Sequence, residues 1–359
     1  MEAKGMGGVS GIKICKTCGI PVRVGKTNNW NSDGTITQRL DPDHRMAILD
    51  SNGLGVLFSN IEALLNVPIE KIIIESKARA TRAYIQRLTA GPKGTLARII
   101  GLKRLIGMVL ELGRVLGYGD AKVTDFNWKR SYLYAEVKYP YSMPLFCGDL
   151  KGATEAIRKL AGTVSYEEIG PEHYLISNFQ APFAPELEDR LLPKPKPRKP
   201  GNIKHNYCEG CGVPLEISNF KFDPEKGMIT YEEAGMRMAI LGPQGLEVIF
   251  EELEKELGEE IPETIIEAQR LYVTTPAGSF WKSLRRDDFG HWLALFGLGN
   301  LASFELDGSS LTARVENPSL PLIIVGTALG FYELMTGKRA GVKWSIAEDG
   351  DLSFTITPQ

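Results

Sequence analysis

Four cysteines in two short knuckles are the residues of this chain best suited to chemistry. Cys15-Lys-Thr-Cys18-Gly-Ile-Pro21 and Cys208-Glu-Gly-Cys211-Gly-Val-Pro214 share the pattern Cys-x-x-Cys-Gly-x-Pro. A Cys-x-x-Cys turn sets two thiolates a suitable distance apart for one tetrahedral ion, and the following glycine permits the backbone of the turn. One pair cannot close a structural site. Two pairs give the four soft ligands that zinc prefers. The expectation is therefore one ion shared by Cys15, Cys18, Cys208 and Cys211, with zinc as that ion. A four-thiolate iron site, a redox dithiol in each knuckle and a site shared between two chains remain as alternatives. A closed four-thiolate site leaves no coordination position for a substrate, so the expected role is structural. His205, three residues before Cys208, either replaces one cysteine or is a solvated residue at the end of a linker.

Other residue types offer less. Cys147 is alone beside Phe146, and reads as a small buried hydrophobe or as a thiol facing a ligand. Glu75 and Glu267 each follow an Ile-Ile pair. They read either as carboxylates facing one another in a buried acid/base or metal pair, or as helix charges paired with Arg79 and Arg270. Arg45 and Arg237 precede matched strands and serve either an anionic ligand or structural ion pairs. Tyr118, Trp128, Tyr139, Tyr141 and Cys147 form one set suited to an apolar pocket with a few polar groups, and Trp281 with His291 forms a second. No Walker loop, dinucleotide fingerprint, His-Glu-x-x-His or nucleophile elbow is present.

The elements that must position these residues occur twice. Arg45-Met-Ala-Ile-Leu49 returns as Arg237-Met-Ala-Ile-Leu241; the offsets 208 − 15 = 193 and 237 − 45 = 192 differ by one residue. A repeat of this size indicates duplicated domains related by a pseudo-twofold. The 359 residues divide into a disordered start (1–11), a first repeat (12–180), a Pro-rich linker (181–205) and a second repeat (206–359). Each repeat carries a knuckle, an Asp/Gly hairpin, the short apolar strand, then helices over Gly55–Leu65 and Ile69–Ala90, or Leu246–Leu257 and Pro262–Tyr272. The apolar runs before Glu75 and Glu267 place the second helix of each repeat near the axis. Further helix is predicted over 94–116 and 279–296. Strands follow at Lys122–Asp125, Tyr132–Lys138 and His173–Ile176, and at Ala302–Leu306, Leu311–Val315, Val342–Ile346 and Leu352–Ile356. Gly148-x-x-x-Gly152 and Gly326-x-x-x-Gly330 each open a helix. The fold class is α+β: two tandem copies of a small antiparallel sheet with helices largely on one face.

Gly117-Tyr-Gly119, two strands, a Tyr/Pro turn, Leu145-Phe-Cys-Gly148 and Gly152 resemble the 4-vinyl reductase-like domain. Gly297-Leu-Gly299, Pro321-Leu-Ile-Ile-Val-Gly326 and Gly330 show the same frame. The likeness covers about 60 residues per repeat. It implies a small-molecule, often hydrocarbon-binding module, related in fold to vesicle-tethering subunits whose helical layer can enclose an acyl chain. Val325 stands where the first repeat has Cys147, and the closing Cys-rich segment of many members is missing. The knuckles separately resemble those of zinc ribbons and rubredoxins.

With 43% hydrophobic and 24% charged residues and a net charge of −2, the chain has an ordinary globular composition that favours neither nucleic acid nor a membrane surface. Residues 1–10 lack the pattern of a signal peptide, and no run of about 18 apolar residues offers a membrane span. A cytoplasmic location is expected. The cations of Pro193-Lys-Pro-Lys-Pro-Arg-Lys-Pro200 read as a solvated spacer rather than a nucleic-acid or lipid contact. The leading expectation is a non-catalytic carrier, sensor or accessory subunit for a hydrophobic or aromatic small molecule, clamped by zinc. A homodimer or a pathway enzyme is a further partner. The rival readings are a reductase or other enzyme of an aromatic, hydrocarbon or tetrapyrrole pathway, and a protein-interaction scaffold.

Overall fold

The computed structural model describes residues 11–90, 102–182, 193, 196–275, 278, 280–281, 284–307 and 309–359. The expected disordered start therefore lies outside the described residues apart from Gly11, as do parts of the linker and of the helices expected over 94–116 and 279–296.

The two Arg-Met-Ala-Ile-Leu strands pair with each other. β1 (Asn28–Trp30), β2 (Ile36–Gln38) and β3 (Arg45–Asp50) join β8 (Lys221–Asp223), β9 (Met228–Tyr231) and β10 (Met236–Leu241) in one six-stranded antiparallel sheet, ordered β1-β2-β3-β10-β9-β8. Ile48 lies opposite Ile240, its own repeat equivalent, while Leu49 faces Ala239 and Ala47 faces Leu241. Neither strand alternates in polarity, because each is covered on both faces; Met46, Ala47, Ile48, Met238, Ala239 and Ile240 are at most 2% exposed. Two hairpins are legible in the sequence, but not their fusion into a third, shared sheet.

Beyond this sheet each repeat forms a four-stranded antiparallel sheet. β4 (Asp120–Asn127), β5 (Tyr132–Lys138), β6 (Ala161–Gly170) and β7 (His173–Ala181) are ordered β4-β5-β7-β6. β11 (Asn300–Asp307), β12 (Ser310–Glu316), β13 (Ala340–Ile346) and β14 (Leu352–Pro358) are ordered β11-β12-β14-β13. Among the described residues the architecture is α+β with three small antiparallel sheets. β6 was not foreseen: its exposed face is rich in Glu and Ser, so its apolar signal is weak.

The helices interlock the repeats. α1 (Val22–Thr27) follows the first knuckle, and α2 (Ser51–Leu65) and α3 (Glu70–Leu88) follow β3. Next come α4 (Leu102–Val115), α5 (Met143–Arg158), α6 (Pro243–Leu257), α7 (Ile261–Thr274), α8 (Phe289–Leu295) and α9 (Pro321–Thr336). Within a repeat α3 lies on α5, and α7 on α9. Across repeats α2 packs on α7 and α6 on α3. Asn60 donates to the Ala268 carbonyl at 3.0 Å, and Arg79 meets Glu252 at 2.7 Å. The second helices of the two repeats thus pack against the other repeat's first helix, not side by side on an axis. Glu75 and Glu267 do not face each other. Glu75 pairs with Lys151, and Glu267 with Arg270.

The Gly-x-x-x-Gly motifs sit inside helices rather than opening them, since α5 begins at Met143 and α9 at Pro321. Their role is close packing. A Cβ on Gly152 would lie 2.2 Å from the Ala78 carbonyl oxygen, and one on Gly326 would lie 2.6 Å from that of Ile266.

Backbone bonds repeat this exchange. Ile240 N–H donates to Leu116 O and Ile48 N–H to Phe296 O, both at 2.9 Å. Gly119 donates to Gly227 at 2.9 Å and Gly299 to Gly34 at 3.1 Å. Arg45 donates to the carbonyls of Asn317 and Pro318, and Arg237 to that of Tyr139. Tyr139 and Asn317 occupy the same left-handed turn, with φ of 54° and 52°. The two arginines therefore hold corresponding turns of the opposite repeat, which is a structural role.

Over its described residues 196–200 the linker is docked rather than solvated. Lys196 pairs with Glu247, Arg198 with Asp33, and Lys199 with Asp349 and Asp351. These cations are engaged by the chain's own carboxylates. No helix among the described residues is long and apolar enough to cross a membrane.

Interlocked repeats should not survive separation. Residues 12–180 and 206–359 expressed alone are each expected to aggregate, because β3 or β10 loses its neighbour and presents a bare apolar edge. Co-expression should recover a one-to-one complex. A stable monomeric half in size-exclusion chromatography would contradict the arrangement.

Candidate metal centre and cavity

The two knuckles meet head to head. In each, the cysteine N–H returns to a residue five positions on (Cys15 to Ile20 O and Cys208 to Val213 O, both 2.8 Å), and the glycine N–H closes the turn onto the first cysteine's carbonyl. Gly19 and Gly212 sit at φ of 77° and 75°, where a side chain would be strained. Gly210 allows the approach: a Cβ there would lie 2.8 Å from Cys15 Sγ. Cys15 and Cys208 are buried, and Cys18 and Cys211 half-buried.

Cys15 Sγ lies 3.7 Å from Cys208 Sγ, and Cys18 Sγ 3.4 Å from Cys211 Sγ; all four sulfurs fall within 4.8 Å of one another. Disulfide sulfurs would be about 2.05 Å apart. A tetrahedral ion with bonds of about 2.3 Å sets its sulfurs about 3.8 Å apart, close to this spacing. The N–H groups of Cys18 and Thr17 point at Cys15 and hold its thiol down at about 6, while burial raises Cys18 and Cys211. The cluster could hold a metal ion. His205 is buried but stands outside the cluster.

A cavity of about 300 Å³ lies between α3, α4 and α5 of the first repeat and the start of α6 of the second. Ala80, Leu110, Leu116, Phe146 and Leu150 contribute to its apolar wall. Its polar end is Lys77, whose Nζ is 3.1 Å from Asp149 Oδ1. Thr81 donates to the same oxygen at 2.7 Å, and the Tyr141 hydroxyl to Asp149 Oδ2 at 2.7 Å. At the rim His44 stacks on Tyr84 with ring centroids 4.0 Å apart. Burial, with Arg87 nearby, pushes its imidazole down to about 3.

The corresponding place in the second repeat is nearly full. Tyr272 stands where the first repeat has Ala80 (272 − 80 = 192) and leaves about 60 Å³. Its hydroxyl donates to Asp50, and a Cβ on Gly53 would lie 2.7 Å from its ring. Gln269 and Thr327 replace Lys77 and Asp149 (269 − 77 = 192; 327 − 149 = 178) and bond at 2.9 Å.

The residues proposed from the sequence fall in several places. Tyr118 lines the cavity beside Lys77 and stacks on buried Tyr141, with centroids 4.5 Å apart. Trp128 stands under Arg158 on the sheet, and the Tyr139 backbone holds the turn described above. Cys147 is fully buried outside the cavity lining, and burial pushes its thiol up to about 12. Trp281 lines the small second cavity, while Phe304 and exposed His291 line a more open hollow of about 440 Å³. Sequence reasoning missed Lys77, Ala80 and Asp149. The available signal was the aligned repeat: polarity and size differ between copies at these positions.

No family model, curated protein or solved structure matches the chain. The resemblance to the 4-vinyl reductase-like domain rests on its quoted motifs alone.

Two outcomes follow. Cobalt(II) added to the reduced protein should saturate at one ion per chain with thiolate charge-transfer absorption, and Cys15→Ser should weaken it at least about tenfold. Saturation at two ions, or an unchanged Cys15→Ser titration, would contradict a shared site. Acid should also destabilise the fold through His44. Unfolded, its pKa is about 6.5, so between pH 6.5 and 3 the unfolded chain binds the extra proton and stability falls with pH. His44→Phe should flatten part of that fall in melting temperature.

Proposed function

We propose that this protein binds an apolar small molecule in the cavity of its first repeat, and that zinc held by Cys15, Cys18, Cys208 and Cys211 clamps the repeats together. The observation that carries the reading is the contrast between copies: one keeps about 300 Å³ open, and the other fills the same place with Tyr272. Close-packed interiors rarely leave such space, and a mostly apolar hollow with a few convergent polar groups suits a hydrophobic ligand. The exchange of contacts between repeats supports a pseudo-twofold passing between Ile48 and Ile240. A closed four-thiolate ion would be structural, adding the folding energy of a metal cross-link between segments 193 residues apart (208 − 15). The chain's role is thus that of a carrier, sensor or accessory subunit.

Copying the second repeat's solution into the first tests this. Ala80→Tyr should abolish binding of an apolar fluorophore such as N-phenylnaphthylamine while keeping one zinc per chain and a near-unchanged melting temperature. Binding retained in that variant would remove the cavity as the site.

A further inference from the structure

We infer that the cavity selects ligands carrying a neutral oxygen acceptor, a carbonyl or hydroxyl, and discriminates against carboxylates, with Lys77 Nζ as the donor and Asp149 as the discriminating group. The inference rests on the reading that this cavity holds a ligand.

Its basis is the charge balance at the polar end. Lys77 is 7% exposed, and an ammonium so enclosed has three protons to satisfy. Among the described residues, Asp149 is its ion-pair partner, which leaves donor capacity at the cavity wall. Asp149 is already committed to Lys77, Thr81 and Tyr141. Gln244 and Gly245, in the first turn of α6, line the same end and add the weakly positive end of a helix without a formal charge. The wall around these groups is apolar, so a ligand oxygen placed there is desolvated and needs a donor.

A carboxylate would fare worse than a neutral oxygen. Among the described lining residues Lys77 is the cation at that end, and Asp149 sits 3.1 Å from the same ammonium. At the rim Arg87 is paired with Asp41, and His44 is kept uncharged by burial. A second anion beside Asp149 would be buried against a like charge with one cation between two carboxylates. The second repeat shows what the pair adds. Gln269 and Thr327 bond to each other there beside a space too small for more than about two waters. A charged pair thus accompanies the open cavity, and a neutral pair the filled one.

The test compares a ten-carbon methyl ketone, the matching alkane and the matching carboxylate, each displacing N-phenylnaphthylamine from the zinc-loaded protein. The ketone should bind about tenfold more tightly than the alkane and about tenfold more tightly than the carboxylate, the size of one hydrogen bond to a charged donor. Lys77→Met should bring the ketone down to the level of the alkane. Asp149→Asn should raise carboxylate affinity about tenfold, a gain that damaged folding would not produce. Carboxylate binding as tight as ketone binding in the parent protein, or unimproved in Asp149→Asn, would overturn the inference while leaving the cavity in place. If none of the three displaces the probe, the cavity reading falls and this inference with it.

Discussion

The pairing of β3 with β10 is the constraint on which the rest of the structure depends. Both strands are apolar on both faces, so neither can end a sheet in water without exposing a row of unpaired amides and several large side chains. Burying an isoleucine or methionine contributes about 1.5–3 kcal/mol, and Met46, Ile48, Met238 and Ile240 are all within 2% of full burial. With Ile48 opposite Ile240, each later element of one repeat is carried over to the other. Leu116 and Phe296 bond to the opposite strand, and α2 and α6 lie on α7 and α3.

The knuckles lie at a second crossing between the repeats. Their four sulfurs converge because Gly210 clears Cys15 and Gly25 clears the Cys211 carbonyl, where a Cβ would stand 2.0 Å away. An ion there would act on the same interface as the paired strands. Its absence of an open coordination position separates it from the cavity chemically. The cavity sits instead among α3, α4 and α5, so binding and clamping are carried by different residues.

The two repeats differ at the place where a site would be. One change of size, Ala80 against Tyr272, decides whether there is room. Changes of polarity, Lys77 against Gln269 and Asp149 against Thr327, accompany it. The neighbouring contacts stay alike: Gly148 closes on Ile74 and Lys77 as Gly326 closes on Ile266 and Gln269. A shared helix packing therefore carries two different interiors, since the glycines fix the distance between helices while the side chains beside them fix the space that remains.

The sequence by itself determined the repeat, the α+β class, most strands and helices, and the four-cysteine cluster. Those follow from local rules: alternation, helical periodicity, turn chemistry and the reach of a Cys-x-x-Cys turn. The exchange of helices between repeats was decided only in the tertiary structure, because intrarepeat and interrepeat packing use the same apolar faces and periodicity does not say which partner covers them. The cavity belongs to the same category. Ser76-Lys-Ala-Arg-Ala80 reads as an ordinary polar helix face, and Lys77 becomes a buried cation only because α5 and the start of α6 close over it. The aromatic residues that sequence reasoning favoured divide between wall, sheet and turn for a similar reason. An aromatic ring announces burial, while the empty space beside it depends on three or four chain segments meeting at once.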